Sequence, residues 1–304
     1  MAAPVVNSRP VFFGFDVDTN NLLEPQLMTF PVDVNSPTIR WGDPVKQVAG
    51  GGLTRCSPTD TVSLGFAATS QVVQGLPSSI PFVNPGVDVT GRPIIHVYVA
   101  DAFNMFVGES NAATSPAKLL DFMDLQYAVP ALSAPTIANV GAAGGTTYNY
   151  KVTAVTSMGE NIASAAGTTA TGNATLSATN YNSVTFAAGQ FKALSYNIYR
   201  QIGAGIYAKI GNVANPGSGN VVFNDTGQSA IDMFLPPTVD YSGWLINYGA
   251  SSTNLIQITA LDDRGLTSAG LPTLNPPQSG GAIGSRLRFT IAAQKSQWLQ
   301  VAGS

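Results

Sequence analysis

The sequence predicts an all-β protein, and three observations carry that reading. Apolar and polar residues alternate in short runs along much of the chain, the period of a strand with one buried face. Gly, Pro and Ser clusters separate the runs, with 31 glycines and 20 prolines in 304 residues. Lysine and glutamate, which clothe the solvated faces of helices, number only six and three.

At roughly 150 residues per domain the length predicts two or three domains. The composition shifts divide the chain into an N-terminal arm (1–30), a small β-barrel (31–129), a β-sandwich (134–238) and a small C-terminal β domain (239–304). Residues 1–31 contain four prolines and no clean period, with Phe12, Phe13 and Phe15 close together. Such a segment cannot bury three rings by itself. An arm lying on another surface and an edge strand of the first domain both fit. Asp16, Asp18 and Asn20 begin like a calcium loop, but the sixth position is Asn21 and the twelfth Leu27, which excludes an EF-hand.

In the barrel segment Thr38 to Trp41 reads as a short strand, Gly42-Asp43-Pro44 as a turn and Gly50-Gly51-Gly52 as a hairpin tip. Thr61 to Ala67 and Ile94 to Ala100 are the clearest strands, the second with Ile94, His96 and Tyr98 on one side and Ile95, Val97 and Val99 on the other. Ser115 to Asp121 has room for one helical turn. Ala128 to Pro135, with prolines among small residues, reads as an extended linker.

The most legible stretch follows. In Thr147 to Ser157, Tyr148, Tyr150, Val152 and Ala154 alternate with Asn149, Lys151 and Thr153. Leu194 to Arg200, Tyr207 to Val213 and Val221 to Asp225 continue the alternation. The order TYNYKVTAVTSMGENIAS, NSVTFAA, ALSYNIYRQIGAGIYAKIGNV and VVFNDTG, with a closing PPT, resembles the fibronectin type III/Ig-like module of tailed-phage structural proteins and some secreted bacterial proteins. The likeness spans Ala134 to Thr238. Many members carry a Trp after the SVTF strand where this chain has Ala187. Upstream, WGDPVKQVAGGGLTRCSPTDTVSLGFAAT followed by VYVADAFNMFVGES resembles the small barrel domains of phage capsid decoration (cement) proteins.

The C-terminal stretch alternates again at Trp244 to Tyr248, Asn254 to Ala260, Ser285 to Ile291 and Ser296 to Val301. A unit of about 65 residues is marginal alone, so it packs on a neighbouring domain or completes its core in an oligomer. Arg286 and Arg288, two apart on one face, and Trp298 are candidate oligomer-interface residues.

Catalytic patterns are sparse. The single histidine, His96, sits mid-strand, and the single cysteine, Cys56, lies in a turn with no second thiol; nucleophilic triads and zinc sites need more. Carboxylate pairs of the glycosidase kind reduce to Asp101 with Glu109, Asp121 with Asp124, and Asp262 with Asp263, each in or beside a loop. Gly141 to Gly145 precedes a strand, not a helix, so it is a turn and not a phosphate loop. The expectation is a non-enzyme without cofactor or metal.

Charged residues make up 10% of the chain, against about 25% in globular proteins. A surface so poor in charge suits a subunit held against others. The net charge of −3 supplies no basic field for nucleic acid. Neither a signal peptide nor an 18-residue apolar run is visible, so the expectation is synthesis in a host cytoplasm with no membrane partner. The two resemblances imply a virion protein on the capsid exterior that binds the major capsid protein and stabilises the head, assembled as a homo-oligomer, a trimer. Phe12, Phe13, Phe15 and Trp41 are the candidate capsid contacts. The alternative is a head- or tail-fibre adhesin, whose partner is a host-surface glycan.

Overall fold

A computed structural model describes residues 16–17, 27–68, 90–100, 105–231, 235–261 and 286–297. The fold is all-β, and its contacts divide the chain into two compact units, one of Met1–Gln126 with Trp244–Ser304 and one of Tyr127–Gly243. The second unit is therefore an insertion in the sequence of the first.

The first unit begins with β1 (Asp16–Val17), β2 (Leu27–Pro31), β3 (Pro44–Gln47), β4 (Leu53–Arg55), β5 (Gly65–Ala67), β6 (Ile94–Val99), β7 (Phe106–Glu109) and β8 (Phe122–Tyr127). Strands β2 to β6 form a five-stranded sheet in the order β2-β6-β5-β3-β4. The alternation of β6 is realised as read: Ile95, Val97 and Val99 are buried and their neighbours half-buried. The triple-glycine hairpin tip is also realised, since β3 pairs with β4 around it and Gly51 N–H donates to Val48 O. Thr38 to Trp41 is not a strand. Asp43 accepts the backbone N–H of Arg40 and folds that stretch into a turn.

The second unit contributes β9 (Thr136–Val140), β10 (Thr146–Val155), β11 (Gly167–Gly172), β12 (Tyr181–Ala187), β13 (Ser195–Ile202), β14 (Ala208–Ala214) and β15 (Asn220–Asp225). They form a three-stranded sheet, β15-β12-β9, and a four-stranded sheet, β11-β10-β13-β14. Both sheets feed one core, with Tyr148, Tyr150, Val152, Tyr196 and Ile198 from the larger and Val184, Phe186 and Val221 from the smaller. This is a β-sandwich. Its first and last strands, β9 and β15, both flank β12; in the constant-type immunoglobulin order the first and last strands lie in opposite sheets.

The expected linker at Ala128 to Pro135 is instead part of this unit. Val129 and Leu132 are buried in the core, and Asn161 Nδ2 donates to Pro130 O. The ends of the insert meet, since Ala128 N–H donates to Gly243 O and Val129 N–H to Ser242 Oγ.

Residues 239–304, expected as a domain of their own, do not form one. Their strands β16 (Trp244–Asn247), β17 (Ile256–Leu261) and β18 (Arg286–Ile291) complete a six-stranded sheet of the first unit, β1-β7-β18-β17-β8-β16. Pairing with β7 and β8 supplies the core that so short a stretch lacks alone. Phe66 of β5 meets Phe106 of β7 at 4.6 Å and Phe289 of β18 at 5.8 Å between ring centroids, joining the two sheets of the unit. Beyond β18, Ser296 Oγ donates to Ala100 O and Gln297 N–H to Ser63 O, fastening the end of the described chain to the smaller sheet.

Candidate functional site

Among the described residues, those singled out from sequence do not converge on one site. Phe12, Phe13, Phe15 and Trp298 lie outside the described residues, as do Asp101, Asp262 and Asp263. Trp41 is half-buried in the turn before β3. Arg286 and Arg288 take alternate positions in β18 opposite Glu109 and Val107, and Arg288 is half-buried.

The side chains with chemical capacity are engaged in structure. His96 Nδ1 is hydrogen-bonded to Thr29 Oγ1 at 2.8 Å across the β2–β6 pair. Cys56 is 2% exposed, and burial, reinforced by the negative charge of Asp60, pushes its thiol far up; a thiol held protonated and enclosed is inert. Asp43 and Arg55 form a buried ion pair, Nε to Oδ2 2.9 Å, while Trp244 Nε1 donates to the other carboxylate oxygen at 2.8 Å and the guanidinium lies 5.4 Å from the indole centroid. In the sandwich, Asp225 is fully buried. It accepts from Tyr150 Oη at 2.7 Å, from Arg200 Nη1 at 2.7 and 3.0 Å, and from Gly227 N–H at 3.0 Å. Burial first, then the Asp225 charge, pushes the Tyr150 phenol far above its usual range.

Asp124, one of the glycosidase candidates, caps a loop. Its two oxygens accept the backbone N–H of Ser252, Thr253 and Asn254 and the hydroxyls of Ser252 and Thr253, at 2.6 to 3.0 Å. Burial alone would raise this carboxyl, but the donors of Ser252 and Thr253 outweigh it and hold it below the usual carboxylate range. Asn254 takes a left-handed conformation, φ 52°, which asparagine tolerates.

Around this anchor the structure builds a surface that sequence reasoning did not find. The short 3-10 helix Pro116–Lys118 and the turn after it, the one helical turn expected there, lead into β8. Tyr248 Oη grips the start of the loop, accepting from Ser115 N–H and donating to Ser115 O. Leu120 N–H donates to Ile258 O, Gln257 Nε2 donates to Leu120 O, and Ile258 N–H donates to Asp121 O. So braced, Leu120 is held at φ 68°, a conformation that costs a branched L-residue roughly 1–2 kcal/mol. The residue is nevertheless 65% exposed, beside Leu119 at 40% and Phe122 at 38%. Next to these exposed residues is an open depression of about 210 Å³, lined by Lys118, Asp121, Phe122, Met123 and the 249–254 loop that Asp124 holds. Lys118 and Asp121 pair at 3.1 Å on its rim. The one signal in sequence was Leu119-Leu120 inside a loop, which burial statistics alone read as core.

A second surface lies on the outer face of the four-stranded sheet. Thr168 Oγ1 donates to Asn149 Oδ1, and Asn149 Nδ2 to Gln201 Oε1. Asn212 Nδ2 donates to Asn197 Oδ1, Asn197 Nδ2 to Glu160 Oε1, and Tyr199 Oη to the same oxygen. Lys151 lies 5.2 Å from the Tyr207 ring centroid. This face is polar and internally bonded, carries Lys151 and Glu160, and buries Asn197 and Tyr199.

Among the described residues no group of three or more His, Cys, Asp or Glu side chains forms a metal-binding cluster, and no helix is long and apolar enough to cross a membrane. No family model, curated protein or solved structure matches this chain.

Proposed function

We propose that the chain is a non-enzymatic structural protein of a tailed-phage virion, a capsid decoration protein that binds the major capsid protein from the outside and stabilises the head. The observation that carries the reading is the braced loop of the first unit: the fold accepts backbone strain at Leu120 to keep Leu119, Leu120 and Phe122 at the surface. A strained, exposed apolar cluster is the mark of a contact surface. The low charge of the chain and the two sequence resemblances agree with it. In this reading the sandwich of the second unit is a fibronectin type III/Ig-like spacing module, alike in architecture and not in strand order, and the arm with Phe12, Phe13, Phe15 and Trp41 contributes to the capsid contact. The protein assembles as a homo-oligomer. Bound decoration protein stabilises a shell by linkage, in proportion to occupancy.

The test is incubation of the protein with undecorated shells, followed by measurement of occupancy and of the temperature of shell rupture. Saturable binding and a raised rupture temperature are expected. No binding at saturating concentration rejects the proposal.

The solvent-accessible polar row of Thr168, Asn149 and Gln201 on β11, β10 and β13 favours a second reading, an adhesin. Its amide and hydroxyl groups, with the half-buried Tyr207 on the same unit, suit the hydroxyls and faces of sugar rings. Binding of the full chain to a glycan array, lost on Tyr207→Ala, would select this reading.

A further inference from the structure

We infer that the first unit is a duplicated barrel, and that the sandwich is a guest carried in one hairpin of the second copy, folding independently of its carrier. The inference goes beyond the proposed function and does not rest on it.

The first copy is β2 to β6; the second is β7, β8 and β16 to β18. Numbered one to five in chain order, the strands of each lie side by side as one-five-four-two-three, with β1 an addition to the second. In both, the end of strand one meets strand three in parallel, Val32 with Leu53 and Ser110 with Ile246. The next amide repeats the contact, Asp33 N–H donating to Leu53 O and Asn111 N–H to Ile246 O. Each ring of five strands is thereby closed, which removes its bare edges.

Register repeats residue for residue. Strands one and five pair as Met28 with Val97 and Phe30 with Ile95, then as Phe106 with Phe289 and Gly108 with Leu287. Strands four and five pair as Gly65 with Val99 and Ala67 with Val97, then as Ile256 with Ile291 and Ile258 with Phe289. Strands two and four pair as Pro44 with Phe66 and Val45 with Gly65, then as Phe122 with Gln257 and Met123 with Ile256. A slip of one residue would turn a strand inside out; none of these pairings has slipped. Bonds outside the ladders match too. Gly42 N–H donates to Ala67 O and Ala67 N–H to Asp43 O, as Leu120 N–H donates to Ile258 O and Ile258 N–H to Asp121 O. Leu120 therefore stands where the first copy has Gly42, at φ 68° and 81°. The conformation belongs to the fold, and glycine fills it without strain.

The place of the sandwich follows. In the first copy strands two and three are joined by a hairpin, closed by Val48 N–H to Gly52 O at 3.0 Å around Ala49-Gly50-Gly51. In the second copy the same bond, from the residue after strand two to the residue before strand three, is Ala128 N–H to Gly243 O at 2.8 Å. Between them lie residues 129–242, the sandwich. Guest domains are accepted at exposed loop tips. The tip of the first copy is such a place, since a Cβ at Gly51 meets nothing within 4 Å.

Three measurements on the full chain test this, none of them using shells. In native hydrogen exchange the amides of Gly42, Ala67 and Ala100 and of their counterparts Leu120, Ile258 and Ala292 are all expected to be protected, by about a hundredfold or more. Free exchange at any counterpart of a protected amide overturns the duplication. A second copy of residues 129–242, placed between Val48 and Gly52, tests the guest site. Cys56, 2% exposed just beyond β4, should be alkylated within about threefold of the wild-type rate; faster labelling overturns the site. Ile198→Asp sets a charge in the sandwich core. Residues 129–242 should become protease-sensitive while Cys56, and Leu287→Cys in a Cys56→Ser background, stay as protected as in the chain without Ile198→Asp. Exposure of either thiol overturns independent folding. A chain that passes these tests and fails to bind undecorated shells keeps the duplication and loses the capsid reading; a shell-binding chain that fails them does the reverse.

Discussion

Trp244 donates its indole N–H to Asp43 at 2.8 Å, across 201 residues of sequence and the whole of the inserted unit. The bond joins the first residue of β16 to the turn that opens β3, so the two halves of the first unit meet at a buried carboxylate. Asp43 is also the partner of Arg55, whose side chain is 2% exposed. Removing the carboxylate strands a buried cation, whereas removing the indole N–H leaves the ion pair in place.

Asp43→Ala is therefore expected to destabilise the first unit by about 3–5 kcal/mol, and Trp244→Phe by about 1–3 kcal/mol. Cys56 supplies the readout. Enclosed in the same unit, its thiol reacts with an alkylating reagent only when the unit opens. Labelling under native conditions should accelerate in both variants and more in Asp43→Ala. Equal labelling of wild type and Asp43→Ala would remove the buried pair from the list of forces holding this unit.

Asp124 sets an acid limit. Its carboxyl is held below the unfolded value by its donors, so its stabilisation is complete above the unfolded pKa, about 3.9. That stabilisation is lost as pH falls through the lowered folded value. Asp124→Asn places an amide where five donors converge, at a cost of about 2–4 kcal/mol at neutral pH, and it flattens the acid limb of a denaturant-midpoint series. An acid limb unchanged by the substitution would show that other carboxylates govern it.

Tyr150 acts at the other end of the scale. Its phenol is raised in the fold by burial and then by Asp225, so its contribution is complete below the unfolded pKa of about 10 and declines as pH rises from there toward the folded value. Tyr150→Phe removes a donor to Asp225 and an acceptor for Asn182, costing about 1–2 kcal/mol. The variant should also lose this part of the alkaline decline, as read by tyrosinate absorbance together with unfolding. An identical alkaline limb in both proteins would contradict the assignment.

The strands of the sandwich were legible because each carries its own face pattern. Tyr148, Tyr150, Val152 and Ala154 all entered the core that their alternation announced. Partnership between distant strands was not legible. Nothing local in Ile256–Leu261 or Arg286–Ile291 states that β17 pairs with β8 and β18 with β7, because the side-chain period selects a face and not a neighbour. The linker reading of Ala128 to Pro135 failed for a related reason: proline and alanine specify an extended backbone equally well in solvent and against a core, and Val129 and Leu132 chose the core. The exposure of Leu120 was hidden because its backbone is held by hydrogen bonds from Gln257 and to Ile258, more than 130 positions away.

The interleaving of the first unit has a consequence for biosynthesis. A ribosome releases β7 and β8 first, then the complete sandwich, and only afterwards β16 to β18. At translation rates of about 5–20 residues per second, β7 and β8 wait on the order of ten seconds for the strands that cover their edges. The sandwich closes on its own strands in that interval, whereas the first unit stays an open template. Nascent chains arrested before Arg286 are consequently the species that needs a chaperone, and the inserted unit is the part of the newborn protein that does not.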